Sequence, residues 1–458
     1  MPVRPSPRRA VRRTGTLAPA LALLLAPLAT ACGDASGAAG TRTVTVTVGY
    51  QSKTINTVTA GTLLRSLGYF EEELAARGRQ DGVSYKVAWQ DYATGAPITA
   101  QMTAGKIDIG SMGDFPLLLN AARGKELKQP TRLVSVTGYN LRGGLNTVVT
   151  APGSKLESLA DLRGKKVSTS VGSAADGTLV RALQRAGMDP EKDVQKLNQQ
   201  PSVGASALQA GSVDALSQFV AWPGQLAYEG RAKALYDGAE LNLPTFHGVT
   251  VRERFARERA GVLEDFLRAQ RRATDHLRAQ PVAAAESVAK ETGLPAEVVY
   301  LYNGAHGIAT FDPALRPELV DALKQDVPVL RAAGLVGEVD VDAFVDPGPL
   351  SRTAAAATAL PQAAPARPEL WLKGQAHTQT YDSPRELLKA ARGADVRAAY
   401  VPDAVTGTPW FADNAVWVAE GAELRAFVTP AGARAYTEQH AASGARIVSF
   451  AEAGALAS

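Results

Sequence analysis

The sequence of 458 residues contains one cysteine, Cys32, and this scarcity excludes two kinds of chemistry. No disulfide can form within the chain, and the residues after the N-terminal segment hold no thiol for nucleophilic catalysis. Only five histidines are present, none has the spacing of a metal site, and we interpret His247 and His306 as structural. The sequence also lacks a G-x-S-x-G nucleophile elbow, a P-loop and an H-E-x-x-H motif. We therefore expect a protein that is not an enzyme and that needs no metal or cofactor.

An excess of charge of one sign is also missing beyond the N-terminus. The formal net charge is +4, and the start of the chain alone contributes five arginines: Arg4, Arg8, Arg9, Arg12 and Arg13. The remainder is therefore close to neutral, and it shows no basic patch with interleaved aromatic residues. A nucleic-acid partner is not expected.

The N-terminal segment has the layout of an export signal. The arginines precede a short apolar stretch at 17–28, which is too short for a stable membrane anchor. Small residues then lead to Cys32, and this arrangement resembles the lipobox of bacterial lipoproteins, in which the cysteine is diacylated and becomes the mature N-terminus. We predict a signal peptide at 1–32, lipid attachment at Cys32 and a flexible Gly/Ala/Ser-rich tether at 33–42.

This layout predicts a location in the cell envelope, lipid-anchored on the outer face of the cytoplasmic membrane. An ordinary signal peptide that ends nearby is the alternative. The export route, Sec or twin-arginine, stays open.

The body of the chain alternates strand and helix patterns. Val and Thr alternate at 43–49, a helical pattern follows, and a second strand pattern lies at 85–89. Such alternation predicts an α/β fold with a mostly parallel sheet. Two similar stretches, 104–110 and 210–216, each end a helix at a glycine and enter an apolar strand. The repetition suggests two similar lobes with a cleft between them.

The run 43–349 resembles the substrate-binding proteins of sulfonate, taurine or nitrate ABC importers. The resemblance is carried by Gly-Tyr-Gln at 49–51, Ala-Gly-Lys-Ile-Asp-Ile-Gly at 104–110, Leu-Ala-Asp-Leu-Arg-Gly-Lys-Lys-Val at 159–167 and Ala-Gly-Ser-Val-Asp-Ala at 210–215. It implies a two-lobe periplasmic-binding-protein fold of type II, with lobe one at about 43–134 and 242–349 and lobe two at about 135–241. Hinge bending closes such a cleft on its ligand. The implied partners are a small anion and the permease and ATPase subunits of an importer, and we expect a monomer.

Two predicted helix starts are candidate anion sites. Gly172, Ser173 and Ala174 lead into one helix, and Ser173 with an Asp three residues later resembles a capping box. Backbone N–H groups at the positive end of a helix bind anions such as a sulfonate or a carboxylate. Gly113 and Asp114 lie at the other start, and an inward-pointing Asp114 would favour a zwitterion such as taurine. Ser173 and Asp114 could instead only cap their helices.

The remaining candidate ligand-binding residues lie near strand ends. Gln51 and Ser52 follow the first strand at its carboxyl end, where open α/β sheets bind ligands. Gln218 and Trp222 follow the second repeated stretch, and Trp222 could pack on an alkyl chain or in the core. Asn140 lies near the expected crossover between the lobes.

The C-terminal part follows an Ala/Pro-rich linker at 350–368, and its patterns predict a small α+β domain at 369–458. The stretches that resemble the NosL family, copper-handling accessory lipoproteins of nitrous oxide reductase assembly, are 400–407, 410–412, 415–418 and 447–450. That family binds its metal through Cys and Met, which select copper(I), and this segment contains neither. We therefore predict no metal site here and interpret the segment as a fold relic or a partner-docking domain.

One function and two alternatives follow from the sequence. The leading hypothesis is a lipid-anchored binding protein that delivers an aliphatic sulfonate, taurine or nitrate to an ABC permease. The first alternative is a copper-trafficking accessory lipoprotein. The second is a ligand-sensing lipoprotein that docks a membrane partner through its C-terminal domain.

Overall fold

The computed structural model describes residues 42–353 and 366–458. The predicted lipid-attachment residue Cys32 and most of the predicted linker therefore lie outside the described residues. Within these ranges, no helix combines the length and the apolar character that crossing a membrane requires.

The chain begins with strands and helices of a first lobe. Their bounds are β1 (Thr43–Tyr50), α1 (Thr62–Leu67), α2 (Tyr69–Asp81), β2 (Ser84–Asp91), α3 (Gly95–Thr103), β3 (Ile109–Gly113), α4 (Asp114–Glu126) and β4 (Thr131–Asn140). β2 and β3 both pair in parallel with β1. The Val/Thr alternation of β1 buries Val46 and Val48, as its period of two predicts.

The chain then leaves this lobe and builds a second one. Its elements are β5 (Asn146–Thr150), β6 (Lys166–Thr169), α5 (Ala174–Arg185), β7 (Gln195–Asn198), α6 (Pro201–Gln209), β8 (Ala215–Phe219), α7 (Trp222–Tyr228) and β9 (Lys233–Asp237). The strands form a five-stranded sheet in the order β7-β6-β8-β5-β9. β6 is parallel to β7 and β8, and β5 is antiparallel to β8 and β9.

The next elements return to lobe one. They are β10 (Thr245–Arg252), α8 (Glu253–Glu258), α9 (Ala260–Ala279), α10 (Pro281–Thr292), α11 (Ala296–Asn303), β11 (Thr310–Phe311), α12 (Pro317–Ala332), α13 (Val341–Phe344) and α14 (Gly348–Arg352). β10 inserts antiparallel between β3 and β4 and completes a six-stranded sheet in the order β11-β4-β10-β3-β1-β2.

The chain therefore crosses between the lobes at 141–145 and again at 242–244. The predicted start of lobe two, residue 135, lies within β4. Pairing of β4 with β10, as far as Asn140 opposite Thr245, keeps 135–140 in the sheet of lobe one.

The two repeated stretches have the predicted local structure. α3 leads to β3 through Gly105, and α6 leads to β8 through Gly211. These glycines adopt φ angles of +73° and +67°, in the left-handed region that ends a helix at low cost only for glycine.

Residues 366–458, called the C-terminal segment below, form a mixed α and β structure. Their elements are β12 (Glu369–Leu372), β13 (Gln379–Thr380), α15 (Pro384–Ala391), β14 (Val396–Pro402), β15 (Pro409–Phe411), β16 (Val416–Glu420), β17 (Glu423–Phe427), α16 (Pro430–Gln439), β18 (Arg446–Val448) and α17 (Phe450–Leu456). The strands form two small sheets in the orders β13-β12-β14-β15 and β17-β16-β18.

The C-terminal segment packs on lobe one through aromatic side chains. Trp371, Tyr400 and Phe411 belong to one apolar cluster with Tyr300 of α11. The ring centroids of Tyr300 and Trp371 are 5.3 Å apart, and the Tyr400 hydroxyl donates to the Glu297 carbonyl oxygen at 2.9 Å. The segment and lobe one therefore share part of their core.

The same segment also contacts lobe two. Thr406 Oγ1 donates to Asp237 Oδ2 at 2.8 Å, and Arg434 Nη2 donates to the Glu157 carbonyl oxygen at 3.1 Å. Asp237 is buried at this contact, and its burial raises the pKa of the carboxyl group. The C-terminal segment is thus in contact with both lobes at once.

Candidate ligand-binding cleft

A cleft with a volume of about 920 Å³ lies between the two lobes. Lobe one lines it with residues at the ends of β1 and β3, on α3, α4 and β10, and in the loop 334–338. Lobe two contributes residues 170–174 after β6, Asn198 at the end of β7 and Phe219 at the end of β8. Several strands thus end at the cleft, which is where open α/β sheets bind ligands.

The start of α5 reaches the cleft from lobe two. Gly172, Ser173 and Ala174, all predicted for the site, line the cleft. Ser173 Oγ accepts from the Asp176 N–H at 3.3 Å, so the predicted N-cap is present. The Asp176 carboxylate accepts from the Gly172 N–H at 3.0 Å rather than closing a full capping box on Ser173. Since N–H groups at the start of a helix have no acceptor inside the helix, those of Ala174 and Ala175 are available to an anion, whereas that of Asp176 is capped by Ser173.

Asp176 places a buried carboxylate just behind this turn. Burial raises its pKa, and the Lys196 ammonium, at 3.8 Å from Oδ1, opposes that shift. The same ammonium lies 2.6 Å from Glu191 Oε1, so Lys196 offsets only part of the negative charge behind the α5 start.

Three other predicted residues lie in or directly behind the cleft wall. Gln51 and Gly113 line the cleft from lobe one, and Gln51 Nε2 donates to the Ser111 carbonyl oxygen at 3.1 Å. Gln218 is fully buried, and its Nε2 donates to Oγ of the lining residue Ser170 at 3.2 Å. Gln218 therefore positions the wall and does not itself line the cleft.

Ser52, Asn140 and Trp222 do not line the cleft. The Ser52 hydroxyl donates to Asp91 Oδ2 at 2.6 Å. Asn140 Nδ2 donates to the Ile308 carbonyl oxygen at 2.8 Å, and its Oδ1 accepts from backbone N–H groups of the crossover. Trp222 packs against an apolar cluster of lobe two, so its aromatic ring serves the core.

Asp114 is turned away from the cleft into the protein. Its Oδ1 accepts from the Phe115 N–H at 2.8 Å, and its Oδ2 accepts from the Phe246 N–H at 3.2 Å. Burial raises the pKa of Asp114 to about 6, against an opposing effect of Arg181. An Asp114 carboxylate that pointed into the cleft would have favoured a ligand amine. This orientation is not found, because both carboxylate oxygens accept hydrogen bonds from backbone N–H groups.

The two lobes touch each other beside the cleft. Arg181 Nη2 on α5 donates to Asp326 Oδ1 at 2.8 Å and to the Gln325 carbonyl oxygen at 2.6 Å on α12. The Phe115 ring of lobe one lies against Gly177 of α5, where a Cβ would come within 2.0 Å of the ring. These contacts join the lobes in the arrangement seen here.

One lining residue was not predicted for the cleft. His247 on β10, interpreted from the sequence as structural, is buried in the sheet of lobe one and also lines the cleft. Asn56 Nδ2 contacts His247 Nδ1 at 2.5 Å. Nothing in the sequence near His247 indicates this position, because Asn56 is 191 residues away along the chain.

Charged side chains of the cleft lie at its rim on α4 and in the loop 334–338. They are Arg123, Lys125, Glu126 and Glu338. Arg123 pairs with Glu126 at 2.6 Å, and both side chains are more than half exposed. Glu338 pairs in turn with Arg331 at 3.0 Å. None of the four side chains is buried, so the polar groups of the inner cleft wall are N–H, hydroxyl, amide and imidazole groups rather than cations.

Comparison with known proteins identifies relatives of this architecture. The model of the family described as NMT1/THI5 like matches residues 56–284. The "putative aliphatic sulfonates-binding protein" of Escherichia coli (strain K12) is 28% identical over 228 residues, which are 50% of this chain and 69% of that protein. The taurine-binding periplasmic protein of the same organism is 28% identical over 183 residues, 39% of this chain and 54% of that protein.

A solved structure shows the same fold. The alkanesulfonate-binding protein SsuA from Xanthomonas axonopodis pv. citri, bound to MOPS, aligns with a TM-score of 0.55 at 23% identity. The alignment covers 66% of this chain and 98% of that chain. The predicted two-lobe α/β fold is thereby confirmed, with the small C-terminal sheets as an addition.

Proposed function

The chain belongs to the NMT1/THI5-like family, and on this premise we propose that it is an extracytoplasmic substrate-binding protein of an ABC importer. It captures a small organic anion, an aliphatic sulfonate or taurine, in the cleft between its lobes. It then presents the closed, loaded form to the permease and ATPase subunits as a monomer. It carries out no chemical step on the ligand.

The observation that carries this proposal is the start of α5 at the wall of the cleft. Ala174, the first residue of α5, places a first-turn N–H group beside a space that lies between two lobes. Gly172 and Ser173 shape the wall next to it, and their own N–H groups donate to Asp176 and to the Ser170 carbonyl oxygen. A sulfonate offers acceptor oxygens and one negative charge, which match N–H donors at the positive end of a helix dipole.

The size and lining of the cleft favour an organic anion over nitrate. A volume of about 920 Å³ is in the range of pockets for small organic ligands. Apolar side chains that line the space include Leu119, Val171, Phe219 and Leu335. Nitrate would leave most of this apolar surface uncovered, whereas an alkyl chain would bury it at roughly 25 cal/mol for each Å².

The test is a calorimetric titration with butanesulfonate, taurine and nitrate, combined with thermal unfolding. A ligand that binds only the native state at a hundredfold excess over its Kd stabilises the protein by roughly 2.7 kcal/mol. Val171→Trp should fill the cleft and abolish binding, since Val171 lines the cleft and is 38% exposed. Val203→Trp is the matched control, because Val203 is 52% exposed on α6 and lies outside the cleft lining. Absence of binding by all three anions would contradict the proposal.

Lipid anchoring at Cys32 belongs to the same proposal. The signal layout at 1–32 supports export and acylation. Cys32→Ala should then give an unprocessed or released protein in cell fractionation. Membrane partitioning equal to that of the wild type would contradict the anchor and leave the binding function intact.

A second function, ligand sensing, is favoured by the contacts of the C-terminal segment with both lobes. Movement of one lobe relative to the other would change at least one of these contacts. Hydrogen exchange of 366–458 with and without bound sulfonate would test the idea, and unchanged protection would contradict it.

A further inference from the structure

His247 brings a ring nitrogen to the cleft from the middle of the lobe-one sheet. The residue is 3% exposed on β10, opposite Gly113 of β3, and both line the cleft. A Cβ at Gly113 would lie 3.2 Å from His247 Nε2. The glycine therefore leaves space for this ring nitrogen, which a side chain at residue 113 would crowd. Nε2 is therefore the ring nitrogen that lies next to Gly113, on the side of β3 that faces the cleft.

Asn56 fixes the protonation state of the other ring nitrogen. Asn56 Nδ2 lies 2.5 Å from His247 Nδ1 and 3.5 Å from the Gly138 carbonyl oxygen. The amide nitrogen faces this carbonyl because the opposite orientation would set two acceptor oxygens against each other. Nδ2 thus donates to Nδ1, and a neutral imidazole that accepts at Nδ1 carries its proton on Nε2.

The pair is held rigidly by its surroundings. Asn56 is completely buried, and a Cβ at Gly138 would come within 2.8 Å of it. Burial also lowers the pKa of His247 to about 3, so the ring stays neutral at physiological pH. Two glycines, Gly113 and Gly138, therefore make space for one asparagine and one histidine in a packed sheet.

We propose that His247 is a ligand-binding residue that determines specificity by donating its Nε2–H to an unprotonated oxygen of the bound anion. This inference rests on the proposed function. A sulfonate fits because it has three acceptor oxygens and no proton at neutral pH. An oxyanion that carries a proton and presents its O–H to His247 would place this donor against the Nε2–H donor, and no hydrogen bond would form. Asn56 is the positioning residue that keeps the donor in place.

The experiment combines binding with direct detection of the ring proton. His247→Phe removes the donor and keeps a ring, and we expect its Kd for butanesulfonate to rise at least about tenfold, as for loss of a hydrogen bond to a charged group. His247→Gln retains an N–H donor and should recover part of the affinity. His306→Phe is the matched control, because His306 lies outside the cleft lining. Nitrogen-15 NMR of the unliganded protein should show a protonated Nε2 and an unprotonated Nδ1 for His247.

The outcomes separate this inference from the proposed function. Equal butanesulfonate affinity for the wild type and a folded His247→Phe variant would overturn the role of His247 while the importer function stands. A protonated Nδ1 in the NMR spectrum would overturn it even if His247→Phe failed to fold. Absence of binding by butanesulfonate, taurine and nitrate alike in the wild type, with the predicted tautomer present, would overturn the proposed function and with it the ligand class assigned here.

Discussion

Arg181 and Asp326 form an ion pair that joins the two lobes beside the cleft, with 2.8 Å between Nη2 and Oδ1. Arg181 lies on α5, the helix whose first turn reaches the ligand cleft, and Asp326 lies on α12 of lobe one. The pair is only slightly exposed, so removing one partner leaves the other charge largely without solvent. It therefore favours the arrangement in which the lobes touch.

Replacing Arg181 should weaken ligand binding. Arg181→Gln removes the cation that bridges the lobes, and the population of the closed form falls. Because apparent affinity scales with the fraction of the binding-competent form, we expect the Kd to rise about tenfold in calorimetry. Arg185→Gln is the control, since within the described ranges Arg185 donates to the Glu240 and Leu241 carbonyl oxygens of its own lobe. Equal effects of the two substitutions would show that the interlobe pair is not responsible.

Stability should fall as the pH rises through the titration of Asp114. Burial raises the pKa of this carboxyl from 3.8 to about 6, so the folded protein holds the proton more tightly than the unfolded chain does. The resulting stabilisation is fully present below about pH 4 and is lost as the pH rises through about 6. Urea unfolding of the wild type at pH 4, 5, 6 and 7 should show this decline.

Asp114→Asn should remove much of that decline, because the titrating group is gone. Asp321→Asn, on the exposed side of α12, is the control and should leave the pH profile as in the wild type. Identical profiles for Asp114→Asn and the wild type would assign the effect to another group. Asp326 is the first candidate, because burial raises its pKa in the same direction.

Ser173→Ala should lower the stability of the protein, because the N-cap of α5 is lost. It should also weaken ligand binding, because the wall of the cleft changes. Loss of an N-cap hydroxyl costs about 1 kcal/mol. Ser383→Ala provides the matched comparison, because Ser383 caps α15 with the same type of bond, to the Glu386 N–H at 3.2 Å. Both variants should lose similar stability in urea, and only Ser173→Ala should bind butanesulfonate more weakly. A loss of affinity in both variants would refute a local role of Ser173.

Trp371→Ala should destabilise lobe one together with the C-terminal segment. Trp371 is fully buried in the cluster that contains Tyr300 and Tyr400, and the Arg397 guanidinium lies 3.9 Å above its ring. Truncating such a residue costs about 3–5 kcal/mol. Ile447→Ala, at a side chain that is 46% exposed, should change stability by less than about 0.5 kcal/mol. Unfolding in two separate steps, with only one step affected, would contradict the shared core.

The local elements of the fold could be predicted because their signals are local. Gly105 and Gly211 end helices where the repeated stretches placed them, and Ser173 caps the helix that follows it. The lobe boundary, predicted near residue 135, could not be located from local signals. β4 continues to Asn140 because β10, more than a hundred residues later, pairs along it.

Cleft residues were predictable where a local signal marks them and were missed where a distant partner defines the role. Gln51 was predicted from its place after β1, and Gly113 and the α5 start were predicted from their helix-start patterns. His247 was not predicted, because its hydrogen-bond partner Asn56 is distant in sequence and its room depends on Gly113 of another strand. Asp114 was found, but the direction of its carboxylate depends on the Phe246 N–H of β10.

The contact of Phe115 with Gly177 leaves no room for a side chain at residue 177, where the two lobes meet. A methyl group at 177 would have to occupy the space of the Phe115 ring, within 2.0 Å of its nearest carbon. Gly177→Ala would therefore act as a wedge between the lobes, on a helix in which alanine is otherwise well tolerated. Such a variant would hold the lobes ajar by geometry alone, and it offers a way to trap the open form for crystallography.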